Sequence, residues 1–398
     1  MAEPPTTTPL RIGILAAGAH PVQTIYLPAL HTLPTLYTIT AIYTSDPTTA
    51  QESTLPSTIN TTTDPSSILS NPSIDLIFNF MPNEFHELYT IAALQVGKHV
   101  MVETPVSLSI PSAKRIIEAE NEAPNGARVF VASARRYAPC FERVFKKEVE
   151  GLGRIHYARL RMIAGPHVAH TVTSLRNGCS HSNTNTTQTT ALSQSQRTTP
   201  DREASGARLN SLLSEVFGAN APPSHERLAL SHFLASLGCH DLGLMRDTLG
   251  YPDAISNISI NEPFYSALFH YNGSHEHTHP FTLMYETGTD SVPRCDAQLA
   301  VYGQMKTVTI HYDLPYARAQ PVRVVVEMAD ECGGLMQTET VSTWEEAYQE
   351  ELRALWRFLV EGEKAKTTAR DSLQDIKLFQ TIFEQYDRQC GTIRTPLG

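Results

Sequence analysis

The strongest constraint in the sequence is an alternation that runs through its first third. Arg11 to Ala16 is a short apolar run followed by small residues and Gly18. Tyr37 to Tyr43 is β-branched and aromatic, Ile74 to Phe80 and His99 to Val102 are further apolar runs, and Arg128 to Ala132 closes the series. Runs of this kind read as strands. Helix signals lie between them. Glu84 to Val96 carries Phe85, Leu88, Ile91 and Ala92 at helical spacing and stops at Gly97, a residue suited to a helix end. Ser109 and Pro111 suit the cap and first turn of the next helix, with Ile116 and Ile117 on its buried face. Strands alternating with helices pair in parallel through right-handed crossovers, so residues 1–135 are expected to form a doubly wound α/β domain. Such sheets bind ligands at the carboxyl ends of their strands.

The pattern changes after Arg136. From Leu175 to Ser205 the chain is mostly Ser, Thr, Asn and Gln. With almost nothing to bury, this stretch reads as a disordered insertion. A short amphipathic stretch, Leu209 to Phe217, follows, and Ser231 to Leu249 reads as helix. Strand-like runs then dominate at Ala254 to Ile260, Tyr265 to Tyr271, Phe281 to Thr287, Ala297 to Tyr302, Thr307 to Tyr312 and Val322 to Met328. Clustered strands after a βα series imply a second, α+β domain over 136–398, with a mostly antiparallel sheet. Two helices, Trp344 to Glu361 and Ala369 to Gln385, end it.

Composition narrows the function. A chain of 398 residues is long enough for two such domains. Its 41 acidic against 31 basic side chains leave a net charge of -10, which argues against nucleic acid or an anionic membrane as partner. A small anionic cofactor remains compatible, because backbone amides at a helix start bind it locally. No apolar run reaches the roughly 20 residues of a membrane span. Met1 to Pro9 lacks the apolar run of a signal peptide, so a cytoplasmic protein is expected. The six cysteines form no C-x-x-C pair, which suggests free thiols. His275, His277 and His279 look like a metal tract, but they follow Asn272-Gly273 between two strand-like runs. A solvated hairpin loop is the better reading, and no metal site is expected.

The turn after the first strand places Ala16, Gly18 and Pro21 at the three glycine positions of the G-x-G-x-x-G fingerprint. Only the middle glycine, which lets backbone approach a pyrophosphate, is kept. Alone this is weak. Further on stand Ile74-Asp75-Leu76-Ile77-Phe78-Asn79-Phe80-Met81-Pro82-Asn83-Glu84-Phe85-His86, then Ala92-Ala93-Leu94-Gln95-Val96-Gly97-Lys98-His99-Val100, then Glu103-Thr104-Pro105. In that order these motifs closely resemble the Gfo/Idh/MocA family of oxidoreductases, named for glucose–fructose oxidoreductase, inositol dehydrogenase and a rhizopine-catabolism protein. Leu27 to Leu30, Arg135-Arg136-Tyr137, Gly238-Cys239-His240-Asp241, Val301 to Gly303, Tyr312 to Tyr316 and Thr367 to Phe379 extend the likeness. It covers nearly the whole chain except its start and the 171–222 insertion.

The resemblance implies a Rossmann domain holding NAD or NADP, with Ala17, Gly18, Ala19, Thr44, Ser45, Met81, Asn83, His86, Glu103 and Thr104 at the cofactor. It implies His240 as the catalytic base, helped by Ser236 or Tyr137, and hydride transfer to or from a hydroxyl or carbonyl of a sugar, polyol, cyclitol or secondary metabolite. A homo-oligomer through the C-terminal sheet is compatible with it. The departures are as informative. The family's Glu-Lys-Pro lysine is Thr104, the aspartate four residues before the histidine is Ser236, and the one three residues after it is Gly243. Thr104 can give a hydrogen bond but no charge to a developing alkoxide. Thr44 stands where an acid would bind an NAD ribose, which tilts the choice to NADP. Against this, Lys98 is the only cation between Arg11 and Lys114, and Asp46 lies close by. Two other readings stay open: a dinucleotide-binding regulator that no longer turns over, and a non-redox lyase or isomerase using the same pocket.

Overall fold

Six short strands form the first sheet: β1 (Leu10–Leu15), β2 (Tyr37–Tyr43), β3 (Asn60–Thr62), β4 (Leu76–Asn79), β5 (His99–Val102) and β6 (Val129–Val131). In this computed structural model, which describes residues 8–15, 22–44, 59–165, 199–218, 223–273, 279–317 and 320–390, they are ordered β3-β2-β1-β4-β5-β6. Every pairing is parallel. Ile12, Ile14, Leu76, Phe78, Val100 and Val129 are fully buried, as expected of parallel strands covered on both faces. At Gly13 the cover is close: a Cβ there would lie 2.5 Å from Ile68 Cγ2. The helix Pro65–Leu69, capped by the Asp64 carboxylate on Ser66 N, therefore rests on bare strand backbone. Ser109 caps Ile110–Glu122 as its sequence suggests, accepting from Ser112 N at 3.1 Å.

This unit runs through Ser133 and also takes in residues 199–218 and 348–376. The helix Thr199–Phe217 revises the reading of 175–205 as one disordered insertion. Residues 175–198 lie outside the described residues, but Thr199 to Ser205 are helical. Polar composition alone hides the reason. Glu215 accepts from the Ser109 hydroxyl and pairs with Arg115 at 2.8 Å. Ser205 donates to Glu84 at 2.5 Å, and the Arg208 guanidinium lies 5.7 Å from the Phe85 ring centre. Polar anchors hold this helix in place of an apolar stripe.

The second unit is built on an eight-stranded sheet: β7 (Tyr157–Ala164), β8 (Ala254–Asn261), β9 (Phe264–Tyr271), β10 (Phe281–Thr289), β11 (Cys295–Tyr302), β12 (Lys306–His311), β13 (Val322–Ala329) and β14 (Leu335–Ser342). The order is β14-β13-β12-β11-β7-β10-β9-β8, antiparallel except where β7 meets β10. Alternate residues Ala158, Leu160 and Met162 of β7 are buried with Leu283 and Tyr285 of β10 and Leu299 and Val301 of β11. The helix Cys239–Leu249, buried along most of its length, packs against β7. Among the described residues no helix is long and apolar enough to cross a membrane.

Candidate functional site

Between β1 and β4 the strand order reverses, and the carboxyl ends of the first sheet gather polar residues there. Asn79 ends β4 fully buried, donating to His86 O at 3.1 Å and to the Thr90 hydroxyl at 3.2 Å. Its backbone carbonyl takes the Glu103 N–H at 3.1 Å, just past β5. Glu103 in turn accepts from Thr104 N at 2.9 Å through Oε2. Thr104 is half-buried, and its peptide bond to Pro105 is cis. Thr44, just past β2, is buried and donates its N–H to Thr62 O at 3.0 Å. Met81 is buried, and Asn83 opens the 3-10 turn Asn83–Phe85.

His86 sits inside this arrangement. Its imidazole is fully buried, with Nδ1 2.9 Å from Pro105 O and Nε2 2.8 Å from Met81 O. A neutral ring can donate to only one of these carbonyls. Burial nevertheless pushes its pKa down against the pull of both carbonyls. The ring is a strut tying the β4 turn to the β5 turn.

In the second unit the turn Ala134–Tyr137 and the start of the helix Cys239–Leu249 come together. Arg135 donates to the fully buried Asp241 at 2.8 Å and to the Asp313 carbonyl, and lies over the Tyr312 ring at 4.4 Å. Arg136 pairs with Asp247 at 2.9 Å, and Tyr137 is buried. His240 is buried edge-on to Tyr316, ring centres 5.9 Å apart. Burial first, and then the Arg135 charge, depress its pKa to about 3. Burial raises the Asp241 carboxyl to about 6, against the opposing pull of Arg135. The buried Tyr312 hydroxyl lies on the same carboxylate and favours its ionised form, and the Tyr285 hydroxyl is buried within reach of its charge. Ser236 lies in the π turn just before the helix, and its hydroxyl turns back to Phe233 O at 3.3 Å.

The expected residues Ala17, Gly18, Ala19 and Ser45 lie outside the described residues, as do Asp46, His275 and His277. Among the described residues no group of three or more His, Cys, Asp or Glu could hold a metal. Three residues of the arrangement escaped the sequence reading. Asn79 carried a signal, since a lone amide within the apolar run Ile74 to Phe80 must find partners once buried. Arg135 and Asp241 stood in quoted motifs, but nothing in their spacing announced that they pair.

The strand order and the polar strand ends define the class of fold that binds dinucleotides. Within that class, residues 10–133 match the Gfo/Idh/MocA oxidoreductase family model, with its NAD-binding Rossmann fold. The match is to this N-terminal domain, about a third of the chain. Inositol 2-dehydrogenase of Paracoccus denitrificans is 33% identical over 90 residues, which are 23% of this chain and 26% of that protein. A 1,5-anhydro-D-fructose reductase of Ensifer adhaerens is 32% identical over 56 residues, 14% of this chain and 17% of that protein. The chain thus spans about a quarter or less of these relatives' length. Among solved structures, a 3-ketoreductase from Actinomadura kijaniata in complex with TDP-benzene and NADP superposes with a TM-score of 0.64 at 16% identity, covering 95% of this chain and 98% of that one. Biliverdin reductase from Synechocystis, in complex with biliverdin and NADP+, gives 0.61 at 15% identity, covering 95% and 99%. At such identity the likeness establishes the fold.

Proposed function

We propose that the protein is an NAD(P)-dependent oxidoreductase that moves a hydride between nicotinamide and a hydroxyl or carbonyl of a sugar, polyol, cyclitol or related secondary metabolite. The observation that carries this reading is the parallel sheet ordered β3-β2-β1-β4-β5-β6, with Asn79 and Glu103 together at its carboxyl ends. The residues present fit a dinucleotide. β1 ends at Leu15 and a helical segment opens at Val22, so helix N–H groups follow the first strand where a pyrophosphate is bound in this fold. No acid occupies Thr44, which favours NADP. The cofactor, when bound, supplies or takes the hydride.

The protein's own residues have narrower parts. Glu103 and Thr104 present polar groups at the end of β5, while His86 holds their turn to that of Met81 and Asn83. In this reading His240 accepts the substrate hydroxyl proton as a neutral imidazole, with Tyr137 as its helper. The substrate is a small molecule, and a second copy of the chain is a further partner through the edge of the second sheet. On β14, Leu335, Met336 and Val341 are 74%, 47% and 52% exposed, and light scattering that finds only monomer removes that partner.

A rival reading, a dinucleotide-binding protein that no longer turns over, is favoured by one observation. The Ser236 hydroxyl is taken up by Phe233 O, and burial and the Arg135 charge both oppose protonation of His240. Titration with NADH and NADPH, followed by fluorescence, tests both. Binding with turnover on a panel of sugars and polyols supports the enzyme, binding without turnover supports the rival, and no binding removes both.

A further inference from the structure

Glu351 is a fully buried carboxyl in the helix Trp344–Trp356, and it belongs to the first unit. Oε1 accepts the backbone N–H of Ser133, two residues past β6, and Oε2 accepts the Tyr26 hydroxyl at 3.1 Å. Ala132 N donates to Val102 O and Glu103 N to Asn79 O, so the carboxyl ends of β4, β5 and β6 interlock beside this acid. Glu103 is the like charge acting on it, and Lys366 supplies an opposing one. Tyr37 also feels it, donating its hydroxyl to Leu352 O at 2.6 Å, and the Arg357 charge opposes it at Tyr37. No ion pair within 4.0 Å neutralises Glu351 among the described residues. A fully buried acid held by one hydroxyl and one amide is a costly arrangement.

In a six-stranded doubly wound sheet, β1 to β3 take one mononucleotide and β4 to β6 the other. Glu103 and Glu351 both stand at the second half. Resting on the reading of this site as a dinucleotide site with its nicotinamide over that half, we propose that Glu351 is a positioning residue whose charge state sets the preference for oxidised over reduced cofactor. The oxidised ring carries a positive charge that the reduced ring lacks. An ionised Glu351 adds one negative charge at this half of the sheet and favours the cationic ring, whereas a protonated Glu351 adds none. Burial and Glu103 together lift the Glu351 carboxyl to about 8, so the switch falls within a testable range.

The experiment titrates the full-length protein calorimetrically with NADP+ and NADPH, and with NAD+ and NADH, at a series of pH values from 6.5 to 9. In the wild type the ratio of oxidised to reduced affinity should rise on the order of fivefold with pH, as for one added, partly screened charge. Glu351→Gln keeps an oxygen for Ser133 N–H and an amide for the Tyr26 hydroxyl, and its ratio should stay flat. Tyr26→Phe removes a hydrogen bond that favours ionisation and should move the transition to higher pH. An equal rise in wild type and Glu351→Gln, or an unmoved midpoint in Tyr26→Phe, overturns the assignment to Glu351 and leaves the nucleotide reading standing. If no dinucleotide binds the wild type at either pH, the nucleotide reading falls and takes this one with it.

Discussion

Gly13→Ala should destabilise the first unit by about 1–2 kcal/mol, although Gly13 lies within a strand and touches no proposed ligand. The added Cβ would meet Ile68 Cγ2 at 2.5 Å and Ile74 Cδ1 at 2.9 Å, where unstrained carbon contacts fall near 3.5–4.0 Å. Ile74 Cδ1 is the end of a side chain and can swing away. Ile68 Cγ2 sits on a branched β-carbon, stiff at χ1, and Ile68 is only 1% exposed in a helix capped by Asp64. The helix must shift to relieve it. Overpacking of this kind costs about 1–3 kcal/mol, and the lower unfolded-state entropy of alanine offsets up to about 1 kcal/mol of it.

Unfolding of the full chain by urea or heat reads the effect, at about 2–4 °C in the midpoint for each kcal/mol. The partner substitution is Ile68→Leu, which removes Cγ2 and nearly conserves volume, so it should cost less than about 1.5 kcal/mol alone. If the contact is the cause, Gly13→Ala with Ile68→Leu should be more stable than the sum of the single changes by about 1 kcal/mol. A neutral Gly13→Ala, or strict additivity in the double variant, would refute the packing argument.

Glu351→Gln should also report on stability. A folded-state carboxyl near 8, against an ordinary 4.5, contributes stability that is fully present below the lower value and lost as pH rises through the higher one. The variant has no proton to lose, so its stability relative to wild type should improve by up to about 1.4 kcal/mol per pH unit within that window. Equal differences in urea at pH 5.5 and 7.5 would sink this. For Thr104→Lys with Ser236→Asp, the simple dehydrogenase reading expects activity on sugars or polyols to be kept or raised. No nicotinamide reduction across such a panel would make that reading hard to keep.

Much of the first sheet was legible because parallel strands buried on both faces leave compact apolar runs, as at Leu76 to Phe78. The strands that escaped did so for definite reasons. Asn60–Thr62 is a three-residue edge of polar residues, and Leu335–Ser342 is an exposed edge strand that buries only Ser342. Neither shows an alternation to read. Tyr157–Ala164 does alternate, but its outward positions include Arg159 and Arg161, and the segment follows a junction where the pattern had already changed. The helix Thr199–Phe217 was half lost because its contacts run through Glu215, Ser205 and Arg208, side chains that composition assigns to solvent. At the candidate site the motif residues were singled out by their order along the chain. The pairing of Arg135 with Asp241 was not, since a buried ion pair between residues 106 apart leaves no local trace.

That pair changes what an acidic limb in a pH–rate profile would mean. An unperturbed imidazole titrates near 6.5 and would be the natural owner of an inflection in that region. Here His240 is held near 3, because it is buried and because Arg135 repels its charged form. It is therefore neutral throughout the usual assay range and has nothing to lose between pH 5 and 8. Asp241, the next residue, sits near 6. When it gains a proton, Arg135 loses its buried counter-charge and is left with the Asp313 carbonyl and the Tyr312 face. An inflection of kcat/KM near pH 6 should therefore belong to Asp241. Asp241→Asn should flatten it. If His240 is the base, as proposed, His240→Gln should lower turnover by about 10² or more, yet keep the inflection in the activity that remains. The opposite result, an inflection that survives in Asp241→Asn and vanishes in His240→Gln, would mean that His240 titrates normally and that the burial argument fails.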